Sequence, residues 1–228
     1  LYEKLNFLTQ RERMAYFTAV LQHLVDTHRH SIGELAEARY LLARRLVDKV
    51  ESLRSDACKP LFKQAVLDEG WSLGLDWTAP FEFKPTVYPA SAGSRYSGRF
   101  KFKRHYYGAI IADLRDEGEE FNCATEIDAH PNVKSWIRNL DFAPGFWLPT
   151  SRGKFWPDFV AELNDGRMAV IEYKGAHLRA EPYEIEKRAV GSLWAAKSAG
   201  RCVFDFVFKT GDNGENMSEQ VKRLLAHR

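Results

Sequence analysis

Residues 154–175, KFWPDFVAELNDGRMAVIEYKG, set two acids and a lysine, Asp158, Glu172 and Lys174, among aromatic and branched residues. Two carboxylates brought together repel, and each is costly where water is scarce, so such a pair calls for a cation. Magnesium answers that need: it takes octahedral oxygen coordination at roughly 2.0 to 2.1 Å through one or two carboxylates, waters and phosphate oxygens. Asp158 and Glu172 supply the carboxylates, and the main-chain carbonyl of Tyr173 is a candidate third protein ligand. Protonated Lys174 cannot ligate a metal, but beside the acids it could position an attacking water, stabilise charge on a phosphorane or assist proton transfer. The chemistry this set suits is phosphodiester hydrolysis with Mg2+, for which Mn2+ is expected to substitute.

The spacing supplies the geometry. Asn164-Asp165-Gly166 suits a three-residue hairpin loop, a type I turn followed by a left-handed glycine, which makes Leu163 the partner of Arg167. Counting outward from that pair, Asp158 lands opposite Glu172. Alternation then puts Glu172 and Lys174 on one sheet face with Tyr173 pointing away, and sets Phe159, Ala161 and Leu163 on the face opposite Asp158. Upstream, in GEEFNCATEID, Glu120 shares a helix face with Ala124 and Ile127, whereas Glu119 aligns with Cys123 and Glu126. Glu120 is therefore the better candidate for an inward carboxylate, one that could reach a metal through water or help hold a second ion. First-turn acids are also what a helix dipole favours, and an isolated D-x(n)-E-x-K string also fits a solvated hairpin.

These residues need elements to hold them. Residues 1 to about 70 read as helices, from MAYFTAVLQHLV and LAEARYLLARRLVDKVESLR with THRHSIG between, and Leu41, Leu42, Leu46, Val47 and Val50 are expected to form one packed stripe. Residues 77–107 are broken by Gly, Pro and Ser, and GRFKFKRHYYG alternates like a strand. The loop PASAGSRYSG at residues 89–98 is expected to be the most mobile segment and the join between the N-terminal part and a mixed region. Then come a helix in GEEFNCATEIDA, strands in KFWPDFVAEL and RMAVIEYKG, a helix over about residues 182–198, a strand in RCVFDFVF and a last helix in MSEQVKRLLAHR capped by Ser218.

In this order, Glu120, Pro157-Asp158 and Glu172-Tyr173-Lys174 resemble the PD-(D/E)xK nuclease superfamily, whose shared core is a helix, a mixed sheet carrying the active site and another helix. More narrowly, EEFNCATEIDAHPNVKSWIRNL, FWLPTSRGKFWPDFVAELNDGR, VIEYKGAHL and EIEKRAVGSLWAAKSAGRCVF resemble the C-terminal endonuclease region of Res-like subunits of type III restriction enzymes, over roughly residues 105–208. The resemblance implies an α/β (α+β) restriction-endonuclease-like core at residues 105–228, with a mixed central sheet flanked by helices. Residues 1–104 would be a helical and β-rich accessory or connector region. It also implies a Mg2+-dependent endodeoxyribonuclease that cuts DNA once an ATP-dependent helicase-like motor has acted, with a methyltransferase or specificity subunit as a candidate further partner. No GxxxxGK[ST] phosphate loop is present, and RDEGEE is not placed like a motor's metal-binding strand, so the motor is expected outside these residues, which begin at Leu1 rather than Met. The alternative of a different class is a catalytically silent DNA-binding or interaction module that keeps the nuclease fold.

Bulk composition adds limits. With 228 residues, 45% hydrophobic and 28% charged, the chain suits one large or two small globular domains, and a net charge of +2 leaves any DNA surface to local patterning. The candidate phosphate contacts are Lys101, Lys103 and Arg104 on the alternating stretch, Lys134 and Arg138 as an i,i+4 pair on a helix, and Lys187 on the helix after Glu-x-Lys. Cys58, Cys123 and Cys202 form no CxxC pair, which argues against a disulfide framework or a zinc ribbon and makes a reducing cytoplasm the default. No run of about eighteen apolar residues or leader is seen, so no membrane association is expected. There is no HExxH, GxSxG elbow or dinucleotide fingerprint, and Trp136, Trp147, Trp156 and Trp194 are expected in the core.

Overall fold

The loop Asn164-Asp165-Gly166 turns the chain as its residue types dictate. Leu163 N–H donates to the Arg167 carbonyl at 2.9 Å, Gly166 N–H to the Leu163 carbonyl at 3.0 Å, and Gly166 takes a φ of 81° that only glycine adopts without strain. The computed structural model describes Leu5, residues 7–64, Phe83, Tyr88, and residues 95–115, 117–141 and 145–226. The chain divides into two units, Leu1–Leu61 and Phe62–Arg228.

The first unit contains α1 (Gln10–Asp26), α2 (Ile32–Glu37) and α3 (Arg39–Phe62), the last residue of which, Phe62, belongs to the second unit. Thr9 and Ser31 start α1 and α2 through capping boxes, each accepting from a backbone N–H three residues on while Glu12 or Glu34 reaches back. The stripe expected along α3 splits. Val47 and Val50 bury against Leu5, while Leu42 and Leu46 line an apolar groove of about 640 Å³ with Phe17, Leu21 and Ile32. Leu41 is exposed, because it lies about 100° around the helix from the Leu42 row.

The second unit holds α4 (Glu119–Ala129), β1 (Val133–Arg138), β2 (Leu148–Thr150), β3 (Gly153–Phe155), β4 (Phe159–Leu163), β5 (Met168–Lys174), α5 (Pro182–Lys197), β6 (Cys202–Phe208) and α6 (Met217–Leu225). Its fold is mixed α/β, built on a mixed sheet in the order β1-β4-β5-β6. The β1–β4 and β4–β5 pairs are antiparallel; β5 and β6 run parallel because α5 carries the chain back across one face. On that face Val190 and Trp194 meet Val160, Val170, Phe204 and Phe206. On the other, Ile127 of α4 and Val221 and Leu225 of α6 cover Phe159, Ala161, Ile171 and Val207. Gly191 sets the approach of α5 to the sheet: a Cβ there would run into the Phe204 ring. Among the described residues, no helix is long and apolar enough to cross a membrane.

The β4–β5 register runs from Phe159 opposite Ile171 to Glu162 opposite Met168, as the three-residue loop predicts. Four other expectations are corrected. Residues 133–138 form a strand and not a helix, since Pro131 follows the end of α4 and VKSWIR is rich in β-branched and aromatic residues. The stretch 98–108 makes only a single bridge, His105 to Trp136, because the Lys103 and Arg104 N–H groups donate to the Asp128 carboxylate instead of to a neighbouring strand. KFWPDFVAEL is two strands, parted at Pro157, which has no N–H to donate. The last helix is capped by Asn216, whose side chain accepts from Glu219 N–H at 3.0 Å, and not by Ser218. Residues 89–94 of the expected loop lie outside the described residues. Tyr96 and Phe102 pack against the core that holds Trp136, so residues before 105 contribute to it.

Candidate active site

Asp158 stands where the chain enters β4, opposite Glu172 on β5. Its N–H donates to Glu172 Oε2 at 3.0 Å, and Tyr173 N–H donates to Asp158 Oδ2 at 2.7 Å. Each acid thus takes a backbone donor of the other strand, a charge-assisted pairing that continues the ladder through side chains. Glu172 and Lys174 share one face of β5, and Lys174 Nζ lies 2.8 Å from Glu172 Oε1. Tyr173 points to the other face, where its hydroxyl donates to Glu119 at 2.8 Å. The alternation read from the sequence places all three side chains correctly.

Two neighbours complete the set. Arg138, at the end of β1, donates to Asp158 Oδ1 at 2.6 Å and to Glu120 Oε2 at 2.7 Å, with its guanidinium over the Phe159 ring. Glu184, in the first turn of α5, lies 3.5 Å from Lys174 and 2.8 Å from Lys187. Glu120, Asp158, Glu172 and Glu184 therefore face Arg138, Lys174 and Lys187, leaving one negative charge in excess when every group is ionised.

Burial pushes the Glu172 carboxyl well above the usual carboxylate range, and the charge of Asp158 pushes it further. Burial alone would lower Lys174, but Glu172 and Glu184 outweigh it and hold the ammonium above its ordinary value. Burial also raises Glu120, against the pull of Arg138. Arg138 is held up despite its burial by Asp158 and Glu120.

Among the described residues, no three His, Cys, Asp or Glu side chains gather into a metal cluster. Magnesium needs only one or two carboxylates, and Asp158 with Glu172 fits that requirement: two hard oxygen donors on facing strands, one of them buried beside a like charge. Arg138 and Lys174 compete for the same oxygens.

The expected DNA-contacting residues part ways. Lys101 and Lys103 are exposed, while Arg104 donates to the Asp128 carbonyl at 2.6 Å. Lys134 is exposed and paired with Glu162 at 2.7 Å. Arg138 is turned inward, and on a strand it stands about 13 Å along from Lys134, so the two are no helical pair. Lys187 is enclosed between Glu184 and the rings of Phe155 and Tyr183. Trp136 and Trp194 are core residues as expected, but Trp147 is exposed. Sequence reading missed the role of Arg138, whose only signal is a cation ending an apolar run. It also missed Glu184 and Asp113, the latter beside Arg138 at a φ of 51° rare outside glycine.

Compared with known proteins, the chain matches no family model, no curated protein and no solved structure.

Proposed function

We propose that the second unit is a metal-dependent endodeoxyribonuclease of the PD-(D/E)xK type, hydrolysing DNA phosphodiesters. In this reading it is the C-terminal nuclease part of a type III restriction-like enzyme whose helicase-like motor lies outside these residues. The observation that carries the reading is the acid pair locked across β4 and β5 with Lys174 on the same face as Glu172. A mixed sheet between a preceding helix bearing Glu120 and a following helix also agrees with the resemblance.

Asp158 and Glu172, with the Tyr173 carbonyl, would hold the magnesium. Bound there, it would neutralise phosphate charge and ease deprotonation of a water. Lys174, held above its ordinary pKa by Glu172 and Glu184, donates hydrogen bonds to the oxygen on which charge develops. Arg138 holds Asp158 and Glu120 in place from behind.

A second reading has its own support: Arg138 and Lys174 already neutralise Asp158 and Glu172, as a catalytically silent DNA-binding module would require. Titration with manganese separates the two. An equivalent of bound ion that disappears in Asp158→Ala is the result expected of the enzyme, whereas no binding by the wild-type chain favours the silent module.

A further inference from the structure

A small hairpin leads directly into the acid pair. β2 and β3 pair Leu148 with Phe155 and Pro149 with Lys154, and Trp156-Pro157 carries the chain on to Asp158. Its inner side is anchored on α5: Leu148 and Phe155 are buried, the Thr150 hydroxyl meets that of Tyr183 at 3.0 Å, and Ser151 is fastened to Glu186 by bonds of 2.6 and 2.8 Å.

The outer side has a different chemistry. Trp147 is 43% exposed. Lys154 Nζ lies 4.4 Å from the centre of the Trp147 ring and 5.7 Å from that of Trp156; at the turn of the hairpin the exposed Arg152 places its guanidinium 4.4 Å over Tyr183 of α5. Neither cation has a carboxylate partner among the described residues; aromatic rings hold them instead. Lys134, Arg138, Lys174, Lys187, Arg188 and Arg223 of this unit are paired with acids, whereas Lys101, Lys103, Lys197, Lys209 and Lys222 are exposed without one among the described residues; what sets Lys154 apart is the exposed indole it lies on. An exposed indole beside one uncompensated cation, with a second at the turn of the same hairpin, complements a polyanion that also offers flat apolar faces.

We infer that the hairpin is a platform for single-stranded DNA: an unstacked base lies on Trp147 while neighbouring phosphates sit on Lys154 and Arg152. Base–aromatic stacking tolerates any sequence, and a duplex keeps its base faces covered, so single strands are preferred. As the element that feeds a strand towards Asp158, the platform rests on the nuclease reading and names its substrate as unwound DNA.

Fluorescence anisotropy of a labelled oligodeoxythymidine and of a duplex of equal length, on the whole chain in chelator, separates binding from cleavage. The single strand is expected to bind more tightly than the duplex. Trp147→Ala should weaken it roughly tenfold, and Trp147→Phe should stay near wild type. Arg152→Ala and Lys154→Ala should each lower the slope of log affinity against log salt by about 0.7, with Lys222→Ala unchanged as a control. Equal binding by a folded Trp147→Ala chain, a preference for duplex, or no binding at all overturns the platform. Trp147-dependent binding by a chain that takes up no manganese contradicts the nuclease reading and leaves the platform standing; manganese uptake lost in Asp158→Ala, with Trp147-independent oligonucleotide binding, does the reverse.

Discussion

Asp158 and Glu172 are tied to each other's strands, the Asp158 N–H donating to Glu172 and the Tyr173 N–H donating to Asp158. Fixed in this way, they cannot separate to escape their mutual repulsion, and a cation must offset it. Removing the groups that manage that charge has separable effects. Asp158→Ala and Lys174→Ala should each lower DNA cleavage by at least about a hundredfold with the circular dichroism spectrum unchanged, and Glu120→Ala should be milder. Arg138→Ala should act on stability first. It strips the buried partner from Asp158, so urea unfolding should show a loss of about 3 kcal/mol. A chain as stable as wild type would mean that Arg138 is not structural. The placement of Asp158, Glu172 and Lys174 was legible because a loop type and a strand period fix which side chains meet. That of Arg138 was not, since nothing near it in sequence tells an arginine turned inward from one turned to solvent.

The β4–β5 hairpin and α5 are the elements that carry the site, and each has one glycine on which its geometry depends. Gly166 closes the loop at positive φ, and Gly191 lets α5 lie against Phe204. Gly191→Ala should cost about 3 kcal/mol or prevent folding, whereas Gly166→Ala should cost about 1 kcal/mol, both read from denaturant midpoints. Equal, small effects would contradict the close approach of α5. α4, β4, β5, α5 and β6 could all be read from their periodicity. β1 could not, because VKSWIR is short and Lys134 and Arg138 mimic helical spacing. The stretch around Phe102 misled in the opposite sense: its alternation is real, but Asp128 takes the N–H groups a strand would have used.

At the scale of the whole chain, stability should depend on pH through His105, which is buried against Trp136 with its ring nitrogens near the Tyr88 hydroxyl and the Gly108 carbonyl. Burial lowers its pKa from 6.5 to about 4. Between those values the unfolded chain binds a proton that the folded chain refuses. Stability should therefore fall as pH drops from 6.5 to about 4 and level off below, by up to about 3 kcal/mol. His105→Gln should flatten that part of the profile, and an unchanged slope would contradict a neutral buried imidazole. The proposed chemistry is open to a direct assay. The decisive measurement is nicking of supercoiled plasmid by the wild-type chain and by Asp158→Ala at equal folded concentration, in magnesium and in chelator. Nicking that needs magnesium and vanishes in the variant is the predicted result. Nicking that survives in Asp158→Ala or in chelator would contradict the assignment of Asp158 and Glu172 as a metal-dependent hydrolytic site.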